Sequence, residues 1–355
     1  IKGGALHRAN GGYLILDAAS DAIRGYTKFY REGYDRAALP AVTASNTSIL
    51  YVPHIASDAE WWTGISLTNT TSKMKGLTIT FDNEQSKSIT LAANEHRAFT
   101  IRELFGGQPR EDIHAAVITN ASGVIGLELF GSVGGSHRLE GIALTGDTAS
   151  TIDYPHVAGE EWWTGIVAYN PSSSGCAITI TPYTDGGVVL PALTRSVGGM
   201  GKYSGEVSAL GLSGQAAWIR IDATRPISGF ELFGTTDGRQ LAAYAAGGRG
   251  GAFEGVFPKI EKHGWTGIAL VNTEETAAAV RLTAYSDSGA VEAIRDLTLG
   301  GRAKGVNPAE AFFAEGAGGA TYIAYSSDRR ITGFQLNGSA DGTMLDGLPA
   351  LCGSQ

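Results

Sequence analysis

The chain has 355 residues, including 50 glycines, and its apolar fraction of 43% and charged fraction of 17% describe a chain able to bury a core. Glycine at about twice its usual share disfavours a helical protein, and the lack of a three-residue glycine period excludes collagen. The net charge of −8, with no Lys/Arg stripe, argues against nucleic acid or an anionic membrane as partner. No apolar run reaches the roughly 20 residues that span a bilayer.

The two cysteines, Cys176 and Cys352, are too few for a disulfide framework or a metal knuckle. They could form one bridge or remain two free thiols. The chain begins at Ile1 and not at Met, which indicates a processed protein or a fragment. Scarce Cys and Met with abundant Gly, Thr and Ser favour a secreted or surface protein. We therefore expect an extracellular location, with no cofactor other than a possible structural Ca²⁺.

Long internal repeats fill the chain in order. A partial repeat occupies residues 1–46 and contains GYTKFY, and full repeats follow at about 49–147, 152–247 and 254–351. Each full repeat has a first half with a W-T-G signature and a second half that reads GLELFG, GFELFG or GFQLNG. The tryptophans before the T-G pair, Trp62, Trp163 and Trp265, are separated by 101 and 102 residues. This regular spacing predicts equivalent structural units.

Each long repeat also divides into two related halves. In each half an alternating apolar run ends at a small polar residue, which gives the series Asp17, Asn69, Asn120, Asn170, Asp222, Asn272 and Ser326, with spacings of 50 to 54 residues. The runs are short and rich in Thr, Val, Ile and aromatics, as in β-strands joined by tight turns. Residues 63–104, for example, contain four such runs, with a helical turn predicted near 102–106 and another near 308–315.

Seven copies of a four-stranded unit of about 51 residues are typical of a β-propeller. We therefore predict that residues 1–355 form one all-β domain, a seven-bladed propeller in which the N-terminal segment 1–9 supplies the missing strand of the last blade. The alternative is three tandem β-sandwich domains of about 100 residues each, preceded by a partial one. That alternative places linkers near 45–50, 148–152 and 248–254.

The alternation of a V-P-H…W-W-T-G…N half with a G-F-E-L-F-G…D-G half resembles repeat modules of secreted and cell-surface bacterial proteins. The resemblance extends over nearly the whole chain, through 51–69, 154–170, 229–239 and 333–342. It implies location and repetition and carries no known catalytic residues. The third repeat departs from it, because Lys259 replaces the histidine and Gly264 replaces the first tryptophan.

The loops before the W-T-G strands provide the candidate binding residues. In a propeller these loops share one face, so aromatic rings and carboxylates gather there for stacking on sugar rings, gripping a peptide or holding Ca²⁺. The candidates are Asp58, Glu60, Trp61, Glu160, Glu161, Trp162, His263 and Trp265.

Simpler structural roles compete with binding at several of these positions. Asp-Gly pairs are expected to form hairpin turns, and Trp62, Trp163 and Trp265 are expected to pack between units. His54 and His156 are expected to anchor strand ends, and the asparagines of the polar series to cap the turn that leaves the strand.

No catalytic motif is present in the sequence: there is no G-x-S-x-G, H-E-x-x-H, Walker loop or C-x-x-C. We therefore expect a non-enzymatic extracellular scaffold that binds a carbohydrate or protein partner. Two alternatives remain open: a subunit of an extracellular filament or coat, and a propeller glycosidase or lyase that uses Asp58, Glu60, Glu160 or Glu161.

Overall fold

The computed structural model describes residues 12–16, 23–31, 34–42, 47–134, 138–159, 161–212, 214–248, 250–313 and 316–352. This part of the chain is all-β and its sheets are antiparallel. Its helical elements are short: α1 (Ile101–Leu104) and two 3₁₀ turns, Val207–Leu210 and Ala309–Phe312. The two helical turns predicted from the sequence correspond to α1 and the second 3₁₀ turn.

The strands fall into four groups that follow the long repeats. We call these groups the N-terminal hairpin and the first, second and third modules. The hairpin has β1 (Tyr26–Arg31) and β2 (Asp35–Pro40). The first module has β3 (Ile49–Val52), β4 (Trp61–Asn69), β5 (Lys75–Phe81), β6 (Ser86–Leu91), β7 (His96–Thr100), β8 (Ala116–Thr119), β9 (Val124–Ser132) and β10 (Leu139–Ala143). The second has β11 (Ala149–Tyr154), β12 (Trp162–Tyr169), β13 (Cys176–Tyr183), β14 (Leu193–Val197), β15 (Lys202–Glu206), β16 (Trp218–Thr235), β17 (Leu241–Ala245) and β18 (Gly247–Gly248). The third has β19 (Ala252–Phe257), β20 (Gly264–Asn272), β21 (Ala278–Tyr285), β22 (Val291–Leu299), β23 (Lys304–Pro308), β24 (Tyr322–Ser339) and β25 (Leu345–Pro349).

Each module folds into two four-stranded layers that share one core. In the first module the strand orders are β3-β8-β5-β6 and β10-β9-β4-β7. The other two modules repeat this plan, except that β16 and β24 each run from one layer into the other. The core of the first module joins Leu50 and Ile79 of one layer to Ile65 and Leu67 of the other. Two sheets that bury apolar side chains between them form a β-sandwich.

The predicted seven-bladed propeller is not confirmed, and the strand pairing agrees with the alternative of tandem sandwiches. A propeller blade is a meander of four consecutive strands, whereas here β4 and β5, which are consecutive, lie in different layers. The 51-residue half-repeat therefore is not a blade, and two halves interleave to complete one sandwich. The predicted closing segment 1–9 lies outside the described residues.

The modules nevertheless close into a ring through four strands, one from the hairpin and one from each module. We call β2, β10, β17 and β25 the central strands. β2 and β17 each lie beside both β10 and β25. Small residues allow this close approach: a β-carbon on Gly347 would lie 2.8 Å from the carbonyl oxygen of Ala243. The side chains of Ala37, Ala242 and Leu348 are fully buried at the same place.

Buried charges fix the N-terminal hairpin to the third module. The Nε atom of Arg36 lies 2.5 Å from Oδ2 of Asp346, and Nζ of Lys28 lies 3.1 Å from the same oxygen. Asp346 is fully buried, and its Oδ1 accepts a hydrogen bond of 2.8 Å from Asn337. Glu261 adds a second carboxylate, 3.2 Å from Lys28. The ends of the ring are thus joined by charges on residues far apart in sequence.

The two signatures of each module meet across one strand pair. Trp62 lies opposite Gly131, and Trp163 and Trp265 lie opposite Gly234 and Gly338 in the same register. The indole covers the glycine, because a β-carbon at Gly234 would lie 2.3 Å from Cε2 of Trp163. The cross-strand pair explains why W-T-G and the final Gly of each second-half signature recur together.

The asparagine that ends each W-T-G strand joins two loops, as predicted for a turn cap. Asn69 accepts a hydrogen bond from the amide of Thr71 and donates to the carbonyls of Lys73 and Ala92. Asn170 and Asn272 make the equivalent bonds, and all three side chains are buried. These three turn caps are confirmed.

The tryptophan–glycine pair gives a first prediction. Gly234→Ala forces the new methyl group against Trp163, so we expect the free energy of unfolding to fall by about 1–3 kcal/mol. Gly76→Ala is the control, because no heavy atom lies within 4 Å of a β-carbon there. Urea denaturation of both variants tests this; equal stability of the two proteins contradicts the packing argument.

The ring closure gives a second prediction. Asp346→Ala removes the buried carboxylate beside Arg36, which keeps a longer contact of 3.5 Å to Glu261. Breaking a buried ion pair costs about 3–5 kcal/mol, so we expect a loss toward the lower end of this range. In the variant, the amides of the N-terminal hairpin should then exchange hydrogen faster than the amides of the three modules. Asp296→Ala is the control: Asp296 pairs with Arg281 at 2.7 Å, but both side chains are exposed, so we expect almost no change.

Candidate functional site

The predicted binding tryptophans lie at the junctions between modules. Trp61 packs against a cluster that combines Phe130 of the first module with Phe230 of the second. The guanidinium carbon of Arg138 lies 4.4 Å from the centre of the Trp61 ring, a cation–π contact. Trp61 is therefore half-buried and helps to join two modules. Its role is thus partly structural, whereas the sequence pattern indicates only a candidate binding residue.

Trp162 and Trp265 form the corresponding contact between the second and third modules. Their ring centroids are 6.2 Å apart and the planes meet at 86°, an edge-to-face arrangement. Trp162 is half-buried, whereas 37% of Trp265 is exposed. Glu161 precedes Trp162, His263 lies two residues before Trp265, and both are exposed. The structure therefore brings Trp162 and Trp265 together, and Glu161 and His263 flank them in sequence. We call these four residues the Trp162/Trp265 surface.

The predicted acidic residues lie in different environments. Oδ1 of Asp58 accepts hydrogen bonds from the amides of Glu60 and Trp61, at 2.8 and 2.7 Å, so Asp58 closes the turn before β4. Glu60 and Glu161 are exposed at equivalent positions of different modules. Glu160 lies outside the described residues. Within the described part of the chain, the carboxylates of Asp58, Glu60 and Glu161 therefore do not form a paired acid group.

The Asp-Gly loops form turns, as the hairpin interpretation predicts. Oδ1 of Asp237 accepts hydrogen bonds from the Thr235 hydroxyl at 2.6 Å and from the Arg239 amide at 3.1 Å, and Gly238 has φ 72°. The Thr235 hydroxyl is the main reason why the pKa of Asp237 is lowered to about 2. Asp341 and Gly342 repeat this arrangement. These carboxylates satisfy turns, which leaves them poorly placed as ligands for Ca²⁺.

Metal and disulfide chemistry receive no support in the described part of the chain. It contains no group of three or more His, Cys, Asp or Glu residues arranged to hold a metal ion. Cys176 and Cys352 are both free thiols, which decides between the two possibilities left by the sequence. No helix among the described residues is long and apolar enough to cross a membrane.

A buried Lys–His–Glu group at the first junction was missed by sequence reasoning. Nζ of Lys202, in the second module, lies 2.8 Å from Nδ1 of His54, in the first. The His54 ring lies edge-on against Phe130 and Phe230, one from each module. Burial holds the pKa of His54 well below its ordinary value, and the positive charge of Lys202 lowers it further. Burial also lowers the pKa of Lys202 to about 8.

The acid of this group is Glu128, which belongs to the GLELFG signature and is fully buried. Burial raises its pKa well above the ordinary value, and the positive charge of Lys202 opposes that shift. The group thus puts a cation, an imidazole and a carboxyl group into a junction lined by aromatic rings. Buried polar groups of this kind can fix the register in which two units meet.

The second junction repeats the group with Lys304, His156 and Glu231. Nζ of Lys304 lies 3.2 Å from Nδ1 of His156. Burial lowers the pKa of His156 to about 3 and raises that of Glu231 well above its ordinary value. The signal was present in the sequence, because the histidines, glutamates and lysines recur at spacings of 102, 103 and 102 residues.

The third module changes both partners together. Lys259 stands at the histidine position and Gln335 at the glutamate position. Nε2 of Gln335 donates to the backbone carbonyl of Lys259 at 2.8 Å. A neutral amide therefore fills the buried position where the histidine is lost.

Two cavities lie beside the tryptophans that precede T-G. A cavity of about 260 Å³ is lined by His54, Trp163 and Leu232 at the first junction. A larger one, of about 530 Å³, lies between the N-terminal hairpin and the first module, and Trp62, Tyr30, Arg31 and Arg138 line it. The Trp62 ring packs over Gly131 within its own module, and it also forms part of the wall of the larger cavity.

Comparison with known proteins adds no family. No protein-family model and no curated protein matches the chain. Among solved structures it is similar to Thermotoga maritima 1070, with 11% identity over 30% of this chain and 99% of that chain, at a TM-score of 0.26. A triple jelly roll protein of an archaeal virus shows 12% identity over 91% and 90% of the two chains, at a TM-score of 0.19. Likeness at these scores carries no argument about function.

The buried histidines predict a pH dependence. An unfolded histidine binds a proton below pH 6.5, whereas folded His156 does not until about pH 3, so folding loses stability as the pH falls through this range. His156→Asn removes the titrating group and keeps an acceptor for Lys304. We expect the wild type to lose at most about 1.4 kcal/mol per pH unit relative to the variant below pH 6.5.

Urea denaturation at pH 8, 7, 6, 5 and 4 measures this difference. Above about pH 7.5 both proteins carry an uncharged side chain at position 156, so the difference should be constant there and provides the internal control. A constant difference down to pH 4 contradicts the assignment of a buried, neutral His156.

Proposed function

We propose that this protein is a non-enzymatic extracellular binding scaffold, and that the Trp162/Trp265 surface binds a carbohydrate. The observation that carries the proposal is the edge-to-face tryptophan pair, which holds Trp265 in place while leaving part of its ring exposed. A rigid, exposed indole is a suitable platform for the apolar face of a sugar ring. The Gly-, Ser- and Thr-rich composition supports the extracellular location.

Polar groups beside the tryptophans support a sugar as the ligand. The Glu161 carboxylate can accept hydrogen bonds from sugar hydroxyls, and the His263 imidazole can accept or donate them. Both residues are exposed, so binding does not require a buried charge to lose its partner. The two halves of the surface come from different modules, so the junction has to be intact for the ligand to meet both.

The glycosidase or lyase alternative has less support. Such enzymes require two carboxyl groups that flank the scissile bond. Of the acids considered, Asp58 closes a turn, while Glu60 and Glu161 belong to equivalent loops of different modules. Glu128 and Glu231 lie inside the junctions at zero exposure, and Glu140, Asp153 and Asp346 are equally buried, so none of these carboxyl groups is open to a substrate. A binding role therefore fits the arrangement better than hydrolysis.

A glycan array probed with the purified protein, followed by titration calorimetry with the best glycan, tests the proposal. Trp265→Ala should weaken binding by about tenfold or more, since an aromatic anchor carries much of the energy of such contacts. Phe253→Ala is the matched control, because Phe253 is an exposed aromatic residue elsewhere in the same module. Absence of any glycan ligand, or equal loss in both variants, rules out this surface as the binding site.

A further inference from the structure

Among the described residues, the N-terminal hairpin has two strands where the corresponding part of each full module has three. In the first module β9 lies between β10 and β4. In the second module the later half of β16 lies between β17 and β12. In the third module the later half of β24 lies between β25 and β20. β1 occupies the equivalent place in the hairpin, yet within the described part of the chain it pairs only with β2. Its other edge therefore presents backbone groups that can pair with a further strand.

The cavity of about 530 Å³ lies beside this hairpin and corresponds to a place that tryptophan fills elsewhere. At the junction of the second and third modules, Trp162 packs edge-on against Trp265. Trp62 is the equivalent of Trp265 in the first module, and it faces the cavity. The cavity thus corresponds to the position that Trp162, the first tryptophan of the W-W-T-G strand of the second module, occupies beside Trp265 of the third module.

Apolar side chains are also exposed in the segment that precedes the hairpin in sequence, where Tyr13 donates a hydrogen bond to the carbonyl of Asn94 in the first module. Ile15 and Ile118 of β8 are equivalent, because each lies two residues before a member of the polar series, Asp17 or Asn120. Ile15 is 56% exposed, whereas Ile118 is fully buried in the core of the first module. Leu14 and Leu16 are exposed as well. In the described part of the chain, the segment 13–16 thus has apolar side chains of the kind that a module interior buries, and these remain exposed.

We propose that an extended segment of another polypeptide adds antiparallel to the open edge of β1 and places a tryptophan in this cavity, against Trp62. Backbone pairing with β1 would supply affinity, and the cavity would supply specificity, as in other cases of strand addition. The register follows from the first module, where Trp61 lies opposite Ser132: the inserted tryptophan pairs with Arg31, the residue that follows Tyr30 at the end of β1.

The residues around the edge define the sequence of the segment. Tyr30 of β1 is equivalent to Gly131 of β9, whose missing side chain leaves room for the Trp62 ring. The Tyr30 side chain occupies that room, so the residue after the inserted tryptophan has to be small. Arg31 and Arg138 line the cavity and Asp35 is the one acid with them, so an acidic residue before the tryptophan is favoured. The segment therefore has the form acid–Trp–small–Thr–Gly followed by alternating apolar residues, which is the W-W-T-G strand with its second tryptophan removed.

A synthetic peptide tests the inference with the full chain. The peptide is residues 60–69 with Trp62→Ser, EWSTGISLTN, carrying a fluorescent label for anisotropy. We expect saturable binding with one peptide per chain. Replacing the remaining tryptophan by alanine should weaken binding about tenfold or more. Methylating the backbone amides that face β1 should abolish binding, because it removes the strand pairing while keeping the side chains.

Variants of the chain locate the site. Leu139 lines the cavity, so Leu139→Trp should fill it and weaken the peptide about tenfold or more. Val188→Trp is the control, since Val188 is an exposed valine in the second module, and it should bind as the wild type does. No binding of the peptide overturns the proposal, and so does binding that is indifferent to Leu139→Trp or to amide methylation. Because the carbohydrate surface lies at another junction, the two proposals fail independently.

Discussion

The buried ion pair between Arg36 and Asp346 is the constraint on which the arrangement of the modules depends. A tandem array of sandwiches would ordinarily leave its first and last units apart. Here a cation from the N-terminal hairpin enters the third module, where a fully buried carboxylate requires a partner. The cost of leaving that carboxylate unpaired holds the ends together, so the four central strands form a closed set instead of an open row.

Polar groups mark the interior junctions of this ring as well. Lys202, His54 and Glu128 meet at the first junction, and an equivalent set meets at the second. Each lysine comes from the following module and each histidine and glutamate from the preceding one. Apolar packing alone holds units together without choosing one geometry, whereas a buried lysine that faces one imidazole nitrogen specifies how the units are oriented. We regard this specification as the reason for the recurrence of these residues.

The tryptophans connect this construction to binding. At the junction of the second and third modules, Trp162 packs against Trp265, and part of the Trp265 ring remains exposed. Beside the described N-terminal hairpin, Trp62 faces a cavity, and β1 pairs with β2 alone among the described strands. One repeated device therefore produces two different surfaces, one suited to a small rigid ligand and the other to a strand.

The sequence alone determined the repeat period, the all-β class, the asparagine turn caps and the Asp-Gly turns, because each depends on residues close together in the chain or on periodicity. It did not determine how the strands are shared between sheets, since a 51-residue half-repeat with four strands fits a blade or half of an interleaved sandwich equally well. Only tertiary structure decided this, together with the burial of Trp61 and the grouping of Lys202 with His54. Those contacts join residues about 150 positions apart, and local propensity carries no information about such pairs.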